Sequence, residues 1–164
     1  FEPLRAEDRQ LLRWVLRRMP PPLPARTPRI DYAATASFIA NDPNYRMWDP
    51  NYILSVVKNR DKRIGSCADT GHWVRSGIKP VDALKILKGR IVSSHLKDLH
   101  IFSPDGHDVP YGMGVSDIEG ILNEFRAQGF HGPASVEYEY NWDNSVPDIA
   151  QCIGFVRGWA AQSK

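Results

Sequence analysis

From about residue 50 onward, the spacing of apolar residues switches repeatedly between a helical period and short β-rich runs bounded by turn residues. "DPNYILSVVKNR" puts Tyr52, Ile53, Val56 and Val57 on one helical stripe, with Asp49 as N-cap and Pro50 at the first helical position. "RIGSCAD" then reads as a short strand. "KPVDALKILKGR" predicts a second helix, with Pro80 near its first turn and Gly89 just past its end, and "RIVSSHLKD" predicts the strand that follows. A loop carrying Pro104, Gly106, Pro110, Gly112 and Gly114 comes next. "SDIEGILNEFRAQG" predicts a third helix, with Ser116 as N-cap, Glu119 completing a capping box and Gly129 as its stop. The strand "PASVEYEY" and the helix "VPDIAQCIGFVRGWAAQ" close the series.

Strands alternating with helices of this length imply consecutive β–α crossovers and a parallel α/β sheet, either doubly wound or closed into a barrel. In both, ligands meet the C-terminal ends of the strands, but a barrel draws catalytic residues from several strand ends at once. The chain has no GxGxxG and no Walker motif, so the expected fold class is the (β/α)8 TIM-barrel type. A full barrel takes about 250 residues. The three clear strands, with a fourth at "TASFIAN", amount to an incomplete half barrel. Its uncovered sheet edge predicts association, as a homo-oligomer or by aggregation.

The first part of the chain breaks the pattern. Eight arginines precede the first lysine, Lys58, and "RRMPPPLPARTPR" holds five of the thirteen prolines. Proline removes backbone donors and clashes with the preceding turn, which excludes a helix interior or a central strand there. Residues 1–35 therefore read as an atypical Arg/Pro-rich segment, either disordered or altered by a truncation or frame change across roughly residues 4–42, and residues 36–164 as the C-terminal half of a barrel.

Composition narrows the function classes. At 42% hydrophobic residues the chain is ordinary globular material. Its net charge of +2 is spread without a basic stripe, which argues against nucleic acid as a partner. Apolar runs are short and "FEPLRAEDRQ" is unlike a signal peptide, so no membrane association and a cytoplasmic location are expected. Cys67 and Cys152 lie in periodic apolar segments and read as free buried thiols.

Three strand ends carry the chemistry. Alternation puts Gly65, Cys67 and Asp69 on one face of the first strand, Ile91, Ser93, His95 and Lys97 on one face of the second, and Ser135, Glu137 and Glu139 on one face of the third. Taken singly, Asp69 reads first as a helix cap, His95 as a core or rim histidine, and Glu137 as a partner for Lys or Arg. Their recurrence at one structural address in three successive units favours a shared site. Two carboxylates and an imidazole suit one divalent ion, Mn, Mg, Co or Zn.

"CADTGHWVRSG", "GRIVSSHLKDL", "DVPYGMG" and "SVEYEYNWDNS" together resemble the xylose isomerase-like TIM-barrel superfamily, the sugar phosphate isomerase/epimerase group, over roughly residues 43–160. The resemblance implies a (β/α)8 barrel holding one divalent ion through two Glu, one Asp and one His. It further implies isomerisation or epimerisation of a sugar or polyol by proton transfer next to a carbonyl. The metal ligands fall on Asp69, His95 and Glu137, and a substrate-contacting histidine falls on His72. Glu137 is the expected proton carrier. The other glutamate belongs on an earlier strand, where relatives have an "HNHP"-like sequence and this chain reads "ANDP" from Ala40 to Pro43. Asn41 or Asp42 is the substitute that position offers.

From the residues themselves, Lys97 reads as a stabiliser of developing oxyanion charge or as a rim lysine paired with Asp98 or Glu139. Trp73, Tyr111 and Trp142 read as a platform for a sugar face or as core lids. Substrate contacts are expected from His72, Trp73, Lys97 and Glu139, while His107 and Asp108 lie in a loop that reads as a substrate cover or a solvated turn. Two other classes remain as alternatives: a hydrolase resembling the abasic-site endonucleases of the same superfamily, and a non-catalytic barrel fragment.

Overall fold

A computed structural model describes Arg46 and residues 48–162. The Arg/Pro-rich segment, "TASFIAN", Asn41 and Asp42 lie outside the described residues. The chain divides into two compact units between Ile64 and Gly65.

In the first unit, helix α1 (Pro50–Val57) begins as its sequence requires. Asp49 is extended and its carboxylate accepts the Asn51 N–H at 2.9 Å, which satisfies one of the orphan donors of the first turn. Ile53 and Val57, one turn apart, are its buried side chains, together with Pro50.

The second unit runs β1 (Ser66–Asp69), α2 (Thr70–Arg75), α3 (Pro80–Ile86), β2 (Ile91–Leu96), β3 (Asp98–Leu99), β4 (Asp108–Val109), α4 (Ile118–Ala127), β5 (Ala134–Val136) and α5 (Val146–Gln162). Strands β1, β2 and β5 form a parallel sheet with β2 in the middle. Asp69 is level with His95, and His95 with Ser135. The described residues form three parallel strands and no closed barrel. Ala68, Ser94 and Leu96, which alternate with the site-bearing positions, are buried. The core also contains Trp73, Val74, Ala83, Leu84, Leu87, Ile121 and Phe125. Each fully buried leucine of this set stabilises the fold by roughly 1.5–3 kcal/mol. In α4 the buried positions Ile118, Ile121, Leu122 and Phe125 follow the helical period.

Several elements differ from the sequence expectation. The expected N-cap of α4, Ser116, is instead fully buried, where its Oγ accepts the Leu99 N–H at 3.1 Å. Asp117 caps the helix from a left-handed backbone (φ 58°), accepting the Gly120 N–H. The loop after β2 contains the two-stranded β3–β4 hairpin, which is antiparallel, and β1 runs directly into α2. The last strand stops at Val136, so Glu137 and Glu139 lie beyond it. Cys152 is buried as expected, but Cys67 is exposed; both are free thiols. Among the described residues, no helix is long and apolar enough to cross a membrane.

Candidate metal centre

Asp69 ends β1 and caps α2: its Oδ1 accepts the His72 N–H at 2.9 Å, which leaves Oδ2 for other partners. The cap role and the ligand role are thus compatible, one for each oxygen. His95 stands beside it near the end of β2, with Nδ1 3.7 Å from Asp69 Oδ2. Glu137 follows β5, and its N–H donates to Leu96 O at 3.1 Å, holding the chain on the ladder one residue past the strand. Asp69, His95 and Glu137 each offer a ligand atom, all within 4.8 Å of one another.

The donor set fits a divalent cation on a second observation. Glu137 Oε2 is buried and has no hydrogen-bond partner, and His95 Nδ1 lies against it at 2.6 Å. An oxygen without a hydrogen-bond donor, set beside the ring nitrogen of a second candidate ligand, has a lone pair free for a cation.

Lys97 lies on the same side as His95, two residues on, and its side chain is 0% exposed. Its Nζ donates to Glu139 Oε2 at 2.5 Å and lies 3.4 Å from Glu137 Oε1 and 3.7 Å from Asp69 Oδ2. Burial alone would lower the lysine's pKa, but Asp69, the hydrogen bond to Glu139 and the charge of Glu137 outweigh it, and the net shift is upward. Burial raises the Glu139 carboxyl, and the Lys97 hydrogen bond and charge, helped by Arg75 and His72, bring it below its usual range. Three carboxylates against one ammonium leave an excess of two negative charges, which one divalent cation balances.

Two supports of the site escaped the sequence reading. Thr70 is fully buried, and its hydroxyl both accepts the Lys97 N–H at 2.8 Å and donates to Lys97 O at 3.0 Å, tying the end of β1 to the end of β2. Gly71 packs directly on the lysine stem, where an added Cβ would lie 2.6 Å from Lys97 Cδ. The only signal for either was their position immediately after the candidate ligand Asp69.

The remaining expected residues separate. His72 is half-buried, with Nε2 3.8 Å from Asp69 Oδ2, and borders the cluster. Trp73 is 3% exposed and belongs to the core, so it presents no face to a sugar. Tyr111 is also buried, donating its hydroxyl proton to Leu96 O at 2.7 Å. Trp142 is 74% exposed. Asp98 does not pair with Lys97; its buried carboxylate accepts the N–H groups of Gly112, Gly114 and Ser116 and shapes the loop after β4. His107 is stacked between His100 and Tyr140, and Asp108 is buried, so neither is a solvated turn residue.

Residues 32–158 match the family model described as xylose isomerase-like TIM barrel. The fold is similar to a solved xylose isomerase domain protein from Planctomyces limnophilus, at TM-score 0.61 and 21% identity over 69% of this chain and 44% of that one. It is also similar to a D-tagatose 3-epimerase-like protein, at TM-score 0.57 and 19% identity over 70% of this chain and 41% of that one. The chain thus spans less than half the length of these structures. Comparison with curated proteins finds no match.

Proposed function

Since the chain belongs to the xylose isomerase-like TIM-barrel family, we propose that it serves a divalent-metal-dependent sugar or polyol isomerase or epimerase. The observation that carries this reading is the convergence of Asp69, His95 and Glu137 from three neighbouring strand ends around an unsatisfied Glu137 oxygen. An ion of the Mn, Mg, Co or Zn type held by these residues supplies Lewis acidity, polarising a sugar carbonyl and acidifying the adjacent C–H.

The chain's own residues then have distinct tasks. Glu137 takes the proton from the carbon beside the carbonyl and returns it to the neighbouring carbon for isomerisation. In epimerisation Glu137 keeps that proton, and a second group on the opposite face donates a different one to the same carbon. Lys97 supplies a fixed positive charge close to Glu137, favourable to the negative charge that develops on the substrate oxygen. It is not a base, because its carboxylate neighbours hold it protonated. Glu139 fixes that ammonium and is committed to it, so the reading gives Glu139 a supporting task in place of a direct substrate contact. His72, on the first turn of α2, contacts a substrate hydroxyl.

Incubating the Mn²⁺-supplemented chain with a panel of aldoses and ketoses in D₂O tests the reading by NMR. Deuterium is expected at the carbon next to the carbonyl, with Glu137→Gln reducing incorporation by about 10²–10⁴-fold. Absence of incorporation across the panel, or an unimpaired Glu137→Gln variant, counts against it.

A further inference from the structure

The geometry points to Asp108 as a positioning residue that sets Glu139 against Lys97 from outside the ligand cluster. The parallel ladder ends at Val136, and Glu137 N–H still finds Leu96 O. Two residues further on, the Glu139 N–H donates instead to Asp108 Oδ2 at 2.9 Å, so a side chain takes over where the sheet stops.

Asp108 is held firmly enough for this task. It opens β4, level with Leu99 of β3, and is 1% exposed. Arg75 braces the hairpin from α2: its Nε donates to Gly106 O at 3.0 Å and its Nη2 lies 3.9 Å from Asp108 Oδ2. On the other side, the His107 ring stacks on Tyr140 with centroids 4.0 Å apart. Gly106, His107 and Asp108 therefore clamp the β5 end to the helix that Asp69 caps.

Keeping a carboxylate here is costly. Burial pushes Asp108 above the usual carboxylate range, against the pull of the Glu139 N–H, Lys97 and Arg75, and its Oδ1 has no hydrogen-bond partner. A fold that needed only a filled space would use an apolar residue at this position. The carboxylate is explained by the Glu139 N–H, whose placement sets the carboxylate that grips Lys97.

The inference rests on the metal-site reading for its functional meaning, so the test carries two readouts. The full chain, Asp108→Ala and Asp108→Asn are compared by amide hydrogen exchange and by Mn²⁺ titration calorimetry. Asp108→Ala is expected to speed exchange at residues 137–140, leave β1 and β2 at wild-type rates, and weaken Mn²⁺ binding about tenfold. Asp108→Asn, which keeps an acceptor oxygen, should restore most of both. The inference is overturned if Asp108→Ala leaves exchange at residues 137–140 unchanged, or speeds it without weakening Mn²⁺ binding to a chain that does bind. It is equally overturned if both variants lose β1 and β2 protection alike, or if asparagine restores nothing. A wild-type chain that binds no Mn²⁺ defeats the metal-site reading, and exchange at residues 137–140 then decides the positioning role by itself.

Discussion

Lys97 shows how much one residue's meaning depends on its surroundings. The sequence places it two positions after His95, which makes it a candidate for the site and puts Glu139 among its partners. Its complete burial among Asp69, Glu137 and Glu139 is not legible there, because those partners lie 28, 40 and 42 residues away. A lysine is buried in this way only when paired. Replacing it by methionine keeps much of the stem but leaves three carboxylates facing one another, at a cost of about 3–5 kcal/mol by analogy with broken buried pairs. Urea denaturation with and without Mn²⁺ checks this: Lys97→Met should be destabilised most in the metal-free state, with the ion recovering part of the loss. Equal stability of variant and wild type would show that the cluster is not coupled through Lys97. Strand alternation by itself aligns Asp69, His95 and Glu137, without any knowledge of long-range contacts. Thr70 and Asp108 act through partners 27 and 31 residues away, so the position of Thr70 after Asp69 and of Asp108 in a loop says nothing of those partners.

Among the elements, the helices with strong terminal signals were legible and the short pieces were not. Pro50 after Asp49, and Gly129 with φ 63°, delimit their helices as expected. The six residues of α2 and the two-residue strands of the hairpin are too short to show a period. Ser116 has the chemistry of a cap, but its hydroxyl is taken by the Leu99 N–H. The loop after β4 depends on Asp98, whose three backbone N–H partners replace the ladder that a longer hairpin would supply. Asp98→Ala orphans those donors and is expected to cost about 2–4 kcal/mol in chemical denaturation. A loss under 0.5 kcal/mol would mean that water satisfies the loop equally well.

For the whole molecule, the alternating order points to a barrel-type fold, and the family that the four motifs resemble matches residues 32–158. On one face of the sheet Ala68, Ser94 and Leu96 are buried, while Cys67, His95 and Ser135 on the other are exposed. Cysteine chemistry reports on this difference directly. Cys152 is fully buried, and burial pushes its thiol up, away from the reactive thiolate, whereas Cys67 is open to reagents. A disulfide reagent should titrate one thiol in the native chain and two in denaturant. No reactive thiol in the native chain would show that this sheet face is covered in solution, as self-association would do.

The most direct test of the central claim is calorimetric titration of the chelator-treated chain with Mn²⁺, alongside Asp69→Asn, His95→Ala and Glu137→Gln. Asparagine at position 69 keeps the helix cap, so a loss there reports on the ligand. One ion per chain is expected, with binding weakened at least tenfold in each variant. No binding by the wild-type chain, or binding that survives all three substitutions, would contradict it.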